Sequence, residues 1–356
     1  MLTLGIESSC DETAAAVVRD GRVVLSNVVA SQHEIHHEYA GVVPELASRA
    51  HVEAVLPVVR EALAQAGIGL GMVDLIAVGN RPGLIGPLLV GVTAAKALAF
   101  NLDRPLIGVD HVRAHLYSGV LVEAGSMRAV PALPALGLVV SGGHTAIYLV
   151  EAWNRVARLG ATIDDAMGEA FDKAAKVLGL PYPGGPNLDR LASSVGANDR
   201  AHDFPISRLG PDSLEFSFSG LKTSMLYAVR GVPGPKGAPA APLTDQRRVD
   251  LAASFRRAAV DAVILKLDRA AERLGSRFGC TLLTGGGVTA NSLLRSRLLE
   301  WGGRRGVEVR LPPMSLCMDN AAMIAGLGTA LHSGGQRDGM DLQADPAALP
   351  AEEVLP

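Results

Sequence analysis

Aromatic residues make up only 4% of the 356 residues, and cysteine occurs three times. No stretch approaches the roughly 18 uninterrupted apolar residues that a membrane span needs. With apolar residues still at 48%, the core must be built from Val, Leu, Ile and Ala. Cys10, Cys280 and Cys317 are far apart, leave one thiol over after any pairing and form no CxxC, which argues for a reducing, cytosolic compartment. An excess of either charge is lacking too: 33 basic against 36 acidic residues leave a net charge of −3. A histone-like binder is excluded, and any nucleic acid must be met by a local patch or through a partner. The opening Met-Leu-Thr-Leu-Gly-Ile-Glu has no basic n-region, and Glu7, Asp11 and Glu12 interrupt it early, so no signal peptide is expected. Gly-Lys-Ser/Thr and GxGxxG are both absent, so neither a P-loop nor the usual dinucleotide fingerprint is supported. These absences predict a soluble, cytoplasmic protein.

What is present reads as an α/β chain. A length of 356 residues against ~100–200 per domain predicts two domains. Apolar runs at 2–6, 14–18 and 22–30, separated by turn-like segments, predict three strands. Helical periodicity at 44–66 and 86–100 alternates with buried-strand runs at 75–79 and 106–109. The order recurs: strands at 136–141, 145–150 and 156–161, a helix at 164–178, a strand at 280–284 and a helix from 290. Two lobes, each a hairpin followed by β/α alternation, imply a cleft between them. The expected division is 1–130 and 131–318, with a helix at 319–333 returning to the first lobe. A Pro/Gly-rich loop at 231–242 and the tail 334–356 are expected to be mobile and outside the core. Arg248, Arg256, Arg257 and Arg269, on a long helix at 244–274, are expected on a solvated face.

Several residues carry candidate chemistry. His111 and His115 are four apart; on a helix both imidazoles share one face, as a metal pair or as a satisfied pair. A third ligand would decide, and Asp319 is a candidate; two imidazoles with a carboxylate suit iron(II) or zinc. His33-Glu34-Ile35-His36-His37 matches H-E-x-x-H, but Gly41 and Pro44 follow closely, so a loop is expected rather than a zinc-protease helix. Glycine turns at 141–145, 284–288 and 79–86 follow strands, where backbone amides hold phosphate or ribose oxygens. Asp11 lies in the first turn, as a base, a ligand or simply a polar turn residue. Asp172 and Asp189 are ribose acceptors or helix caps.

Nine ordered segments then converge: Gly5-Ile-Glu-Ser-Ser-Cys-Asp-Glu-Thr13, Gly41-Val-Val-Pro-Glu-Leu-Ala-Ser-Arg49, His111-x-x-x-His115, Val139-Val-Ser-Gly-Gly-His-Thr145, Gly168-Glu-Ala-Phe-Asp-Lys173, Tyr182-Pro-Gly-Gly-Pro186, Phe216-Ser-Phe-Ser-Gly-Leu-Lys-Thr223, Gly285-Gly-Gly-Val288 with Asn291, and Cys317-x-Asp-Asn320. Over about residues 1–333 the chain resembles the bacterial TsaD family, the tRNA adenosine threonylcarbamoyltransferases. The resemblance implies a two-lobed actin/Hsp70/sugar-kinase-like α/β fold with the active site between the lobes. It implies transfer of a threonylcarbamoyl group from threonylcarbamoyl-AMP to the exocyclic amine of the adenosine just 3′ of the anticodon, in tRNAs that read ANN codons. His111, His115 and Asp319 match the family's iron(II) ligands, with zinc as a substitute in vitro. Val139, Val140, Ser141, Gly142, Gly143, Asp172, Gly185, Asp189 and Asn291 match its adenylate-binding positions, and Asp11 matches an acidic residue implicated in activity. Partners implied are the tRNA, TsaB and TsaE, with TsaC supplying the intermediate. Ala40, Pro87 and Met318 depart from the usual pattern without touching a proposed ligand. Two rival readings are a metalloprotease, on the His33 motif, and an ATPase of the same fold.

Overall fold

The first three apolar runs fold as an antiparallel meander: β1 (Leu2–Glu7), β2 (Glu12–Arg19) and β3 (Val23–Ser31). Asp20 (φ 52°) and Gly21 (φ 69°) turn β2 into β3; two successive left-handed residues match the strand twist of a tight hairpin. β4 (Leu75–Arg81) and β5 (Leu106–Asp110) add in parallel on the far side of β1, and β6 (Val122–Glu123) joins β3. The computed structural model describes residues 1–37, 39, 41–126, 128–233 and 240–348.

A second sheet comprises β7 (Ala135–Val140), β8 (Thr145–Ala152), β9 (Arg155–Ala161), β10 (Thr281–Gly285) and β11 (Glu308–Arg310). Its order, β11-β10-β7-β8-β9, repeats the β5-β4-β1-β2-β3 of the first sheet, with the same parallel and antiparallel pairings. The duplicated two-lobed α/β architecture expected from the sequence is therefore present.

The helices are α1 (His33–His37), α2 (Pro44–Gln65), α3 (Ile85–Leu102), α4 (His111–Tyr117), α5 (Met167–Val177), α6 (Gly184–Ala192), α7 (Ser219–Arg230), α8 (Asp245–Leu274), α9 (Ser292–Arg305) and α10 (Ala321–Ser333). They sort into three apolar cores. α2 and α3 cover one face of the first sheet. α5, α6, α8 and α9 cover one face of the second. Between the sheets, α4 and α10 share a third core with residues of both, including Ala77 and Val109 of the first and Val139 and Val150 of the second. α3 is long and apolar enough to cross a membrane by length and composition; Leu88 is buried, Val92, Ala95 and Ala99 face the first sheet's core, and about a third of the helix is buried.

Three expectations need correction. Arg256 is not on a solvated face: it is 9% exposed, and its guanidinium donates to Asp189 Oδ1 at 2.8 Å and Ala192 O at 3.0 Å. Arg257 and Arg269 likewise donate to the carbonyls of Asp199 and Arg208. The segment between α6 and β9's partner Phe216 wraps α8, and its covered carbonyls need donors. Secondly, the tail does not lie wholly outside the core. β5 is the edge of its sheet, and the chain after α10 caps that edge: Asp338 Oδ2 accepts from the Gly108 amide at 2.9 Å, Asn80 donates to Gln343 O at 3.0 Å, and Leu342 packs on the α2–α3 core. Residues 349–356 lie outside the described residues, as do 234–239 of the Pro/Gly-rich loop. Thirdly, the His33 segment is one helical turn rather than a loop, because Gln32 O accepts from the amides of Ile35 and His36.

α10 approaches β1 so closely that only glycine fits at position 5: a Cβ there would clash with Ala321 O and stand 2.8 Å from Ala325 N. Gly5→Ala should therefore lower stability by about 3 kcal/mol, the upper end of overpacking costs, because backbone cannot step aside as a side chain does. Differential scanning calorimetry checks this beside Gly69→Ala, where a Cβ meets nothing within 4 Å and no loss is expected.

Candidate metal centre and substrate cradle

The metal-like cluster begins where a strand ends. Asp110 closes β5 and caps α4, its Oδ1 accepting from the Arg113 amide at 2.9 Å, so the helix starts in the cleft at the carboxyl end of the sheet. His111 and His115 fall one turn apart on α4, with ring centroids 4.7 Å apart. Asp319 comes from the other end of the chain, just before Asn320 caps α10 by accepting from the Met323 amide at 2.9 Å. Asp319 Oδ1 stands 3.5 Å from His111 Nε2 and 3.2 Å from His115 Nε2. One donor atom from each of the three residues lies within 4.8 Å of the others, a group able to hold one ion. The fit is supported by His115: it is 1% exposed, Nδ1 makes no hydrogen bond among the described residues, and Nε2 meets Asp319 Oδ1 at 3.2 Å. A buried imidazole so sparsely partnered suits a ligand role, in which one nitrogen is taken by an ion.

Glu7, which has no signal in the sequence pattern, sets the orientation of His111. Its carboxylate is fully buried; Oε1 accepts from the Ser9 amide at 2.6 Å and Oε2 from His111 Nδ1 at 2.9 Å. A carboxylate only accepts, so Nδ1 carries the proton and Nε2 is turned toward Asp319, as in carboxylate–histidine–metal arrangements. Burial works against a charge on His111, but Glu7 and Asp319 outweigh it and push the imidazole up to about 10. Burial would also raise the Asp319 carboxyl; His111, His115 and His144 instead hold it well below the usual carboxylate range. His144, at the mouth of the second sheet, is pushed down to about 4 by burial and by the two neighbouring histidines.

Asp11 is half-buried in the β1–β2 turn. That turn is tied to α2 by His51, whose Nε2 donates to Cys10 O at 3.1 Å while Nδ1 accepts from the Thr13 hydroxyl at 2.7 Å. Glu12 beside it, equally silent in the sequence, is pushed up to about 9 by burial and then by the charges of Asp319, Asp11 and Glu7. The Cys10 thiol is raised by burial and by Asp11. Across the cleft, the Tyr182 phenol is pushed up to about 12 by burial, then by Asp11 and Asp172, which places one ring within electrostatic reach of both lobes. His33 stacks on Tyr182 at 5.0 Å. Of the H-E-x-x-H segment, Glu34 is exposed and His36 is engaged by Gln32 at 3.2 Å and the Val43 amide at 3.3 Å; the His37 side chain lies outside the described residues. A five-residue helix with these commitments gives no support to the protease reading.

The nine residues expected around an adenylate fall into four groups. Val139 and Val140 are wholly buried on opposite faces of β7, so they offer only backbone and fix where the next turn begins. Ser141, Gly142 and Gly143 form that β7–β8 turn, and the carbonyls of Ser141 and Gly142 accept from the first amides of α5 at 3.2 Å. Gly142 and Gly143 are exposed, and a Cβ on either would meet nothing within 4 Å. By contrast Gly285 and Gly286, in the equivalent turn of β10, are demanded by packing against His115 O and Val140 O. Asp172 of α5 accepts from the Gly185 amide at 2.9 Å, and burial raises its carboxyl. Asp189 and Asn291 meet at 2.9 Å; Asp189 also takes Arg256 at 2.8 Å and the Ser292 amide at 3.1 Å, joining α6 to the start of α9.

Comparison with known proteins identifies the family and the fold. The family model described as TsaD, tRNA N6-adenosine threonylcarbamoyltransferase, matches residues 23–326. Proteins of that name from Symbiobacterium thermophilum and Anaeromyxobacter sp. (strain Fw109-5) are 50% and 51% identical, over 97% and 98% of this chain and 96% and 99% of theirs. Among solved structures, T. kodakarensis HypF is similar at a TM-score of 0.59 and 18% identity, covering 94% of this chain and 48% of that one. The Acidaminococcus fermentans (R)-2-hydroxyglutaryl-CoA dehydratase component A is similar at 0.50 and 15% identity, covering 93% and 97%. At such identities these two speak for the fold, the two-lobed actin/Hsp70/sugar-kinase type. The near-full-length relatives and the matching family model together place the chain in the TsaD family of acyltransferases, with tRNA N6-adenosine threonylcarbamoyltransferase activity.

Proposed function

We propose that the cleft takes threonylcarbamoyl-AMP and the adenosine just 3′ of the anticodon of ANN-decoding tRNAs, with His111, His115 and Asp319 holding iron(II), or zinc in its place in vitro. The observation that carries this reading is a buried imidazole pair converging on the Asp319 carboxylate, in a cleft whose exposed Gly142 and Gly143 are required by neither φ nor packing. Glycine without an internal reason leaves backbone open to a ligand. Two imidazoles and one carboxylate suit iron(II), and a metal there supplies Lewis-acid polarisation of the carbamoyl oxygen.

The chain's own residues do the rest. Glu7 holds His111 in one tautomer. The Ser141–Gly143 turn offers bare backbone and small residues to the adenylate, with Asp172, Gly185, Asp189 and Asn291 lining its far side. Binding energy from this AMP handle positions the reacting carbon for an amine of low nucleophilicity. The amine nitrogen bonds to the carbamoyl carbon, the bond from that carbon to the phosphate oxygen breaks, AMP leaves, and the amine gives up one proton. Asp11, in the turn facing Tyr182, is the acceptor of that proton or the group that orients the amine.

For partners we propose TsaB and TsaE, with TsaC supplying the intermediate. Val52 and Leu56 of α2, and Ile85 and Leu89 of α3, stay exposed as pairs one turn apart, an apolar surface of the kind that protein contacts use. A cytoplasmic setting suits three free thiols.

Three outcomes are expected. With partners, threonylcarbamoyl-AMP and unmodified tRNA, the metal-loaded chain forms the modified nucleoside, read by mass spectrometry; His111→Ala abolishes it, whereas no product from the wild type would favour the ATPase reading. Asp11→Asn keeps its metal and loses about 100-fold or more in kcat, the lower range for a proton acceptor; wild-type turnover would remove Asp11 from the chemistry. The third concerns pH. His111 rises from an ordinary 6.5 to about 10, so the metal-free fold is stabilised by its charge below 6.5, and that contribution is lost as pH climbs toward about 10. Metal must displace this proton, so zinc affinity should rise about tenfold per unit between pH 6 and 8, which calorimetry in two buffers resolves.

A further inference from the structure

Among the described residues, two arginines near the metal centre have no carboxylate partner. Arg158, exposed on edge strand β9, makes neither a hydrogen bond nor an ion pair among those residues, and the Arg113 guanidinium has one long contact, 3.4 Å to Val156 O. Both line a cavity of about 280 Å³ whose wall includes His144, Gly143 and Tyr148. Tyr148 and Arg158 are directly opposite across β8–β9, so they stand side by side on one face of the sheet. The Tyr148 hydroxyl is within electrostatic reach of Asp110 and of both guanidiniums, and makes no hydrogen bond among the described residues.

This cavity lies on a definite side of the second sheet. Val139, Val150 and Val156 share a core with α4, while Val140, Ile147 and Leu149 point the other way, under α5 and α6. Tyr148 packs with the α4 side, so the cavity reaches His144 from the face opposite to Asp172, Gly185 and Asp189. A transferase that holds two substrates at once needs two such approaches, because the leaving adenylate and the incoming acceptor cannot share a seat. The two carboxylates on the wall keep their charge but spend hydrogen bonds elsewhere, Asp164 on the Ser217 and Ser219 hydroxyls and the Phe218 amide and Asp110 on the α4 cap, so neither pairs with a guanidinium among the described residues.

We infer that this cavity seats a backbone phosphate of the acceptor RNA, with Arg113 and Arg158 as its cations and the Tyr148 hydroxyl as a neutral donor. The inference rests on the transferase reading and adds where the acceptor strand is gripped. A phosphodiester presents two free oxygens and one charge, which forked guanidiniums match well. A base edge and its flanking phosphate lie a nucleoside's width apart, so a grip beyond His144 leaves the metal centre free for the adenine. A chain of net charge −3 has no global field to hold RNA, so its own share of the grip falls to local unpaired cations.

The test uses the full reconstituted system with Arg113→Ala, Arg158→Ala and Arg158→Lys, each checked for thermal midpoint and bound metal. Each alanine variant should raise KM for tRNA about 5- to 10-fold with kcat within about twofold, and flatten the log–log salt dependence by about 0.7 to 0.9 for one lost phosphate contact. Arg158→Lys should recover part of the loss. An unchanged KM and salt slope for tRNA overturns the inference; so does a rise in KM for threonylcarbamoyl-AMP instead, which would make the anion the donor's carboxylate. Filter binding of tRNA to the same variants keeps the two readings apart. A wild-type complex that binds tRNA in a manner sensitive to Arg158 but forms no product would overturn the transferase reading and leave the phosphate seat standing.

Discussion

The position of α4 and α10 between the two sheets is the constraint on which the site depends. The two histidines lie on α4 and the carboxylate immediately before α10, so the cluster exists only if both helices are held at one depth and one rotation. Glycines enforce this from several sides. Gly5 admits α10 onto β1, Gly328 lets it lie against Ala77 of β4, Gly326 receives the ring of Tyr117 from α4, and Gly285 admits the His115 carbonyl to the end of β10. Replacing any of these by a larger residue would move a ligand rather than merely loosen a core. Interiors are packed too tightly for such a shift to be absorbed nearby.

Charge inside this frame is arranged by opposition. Glu7, Asp11, Glu12 and Asp319 approach one another where β1 turns into β2 and α10 begins, and burial makes each negative charge expensive. The imidazoles of His111 and His115 answer Asp319, and Glu7 answers His111. Glu12 has no such counter-charge among the described residues and is pushed up to about 9. A cation bound by the three ligands would ease the same crowding, which ties the electrostatics of the turn carrying Asp11 to occupation of the metal centre.

Much of this was legible in the sequence because it is local. The hairpin turns, the strand runs and the four-residue spacing of His111 and His115 are short-range patterns, and the duplicated strand order emerges once both halves read as meander then β/α. What stayed hidden depends on distant partners. Glu7 reads as the end of an apolar strand; its role appears only when His111, 104 residues on, is folded against it. Arg256 belongs to a stripe that looks solvated until α6 and the following segment cover it. The tail looks like a linker by composition, yet an edge strand with an open amide and carbonyl at Gly108 gives Asp338 and Gln336 something to bind. Periodicity describes a residue's own element, and these three positions are decided by a neighbour's unsatisfied groups.

The glycines separate architecture from recognition. A turn such as Thr284-Gly-Gly-Gly-Val288 looks as suited to a phosphate as Ser141-Gly-Gly-His-Thr145, and both lie at the carboxyl ends of neighbouring strands in one sheet. In the folded chain they differ: Gly285 and Gly286 are filled against by the protein itself, and a Cβ on Gly287 would stand 2.9 Å from the Met318 sulfur. Gly142 and Gly143 face open space. The fold thus uses one of these turns to lock α4 in place and leaves the other bare. The asymmetry gives the cleft its direction: a wall built by the first lobe's helices and the end of β10, opposite a mouth at the β7–β8 turn with His144 beside it. α5 and α6 lie on one face of that mouth, and Arg113 and Arg158 on the other.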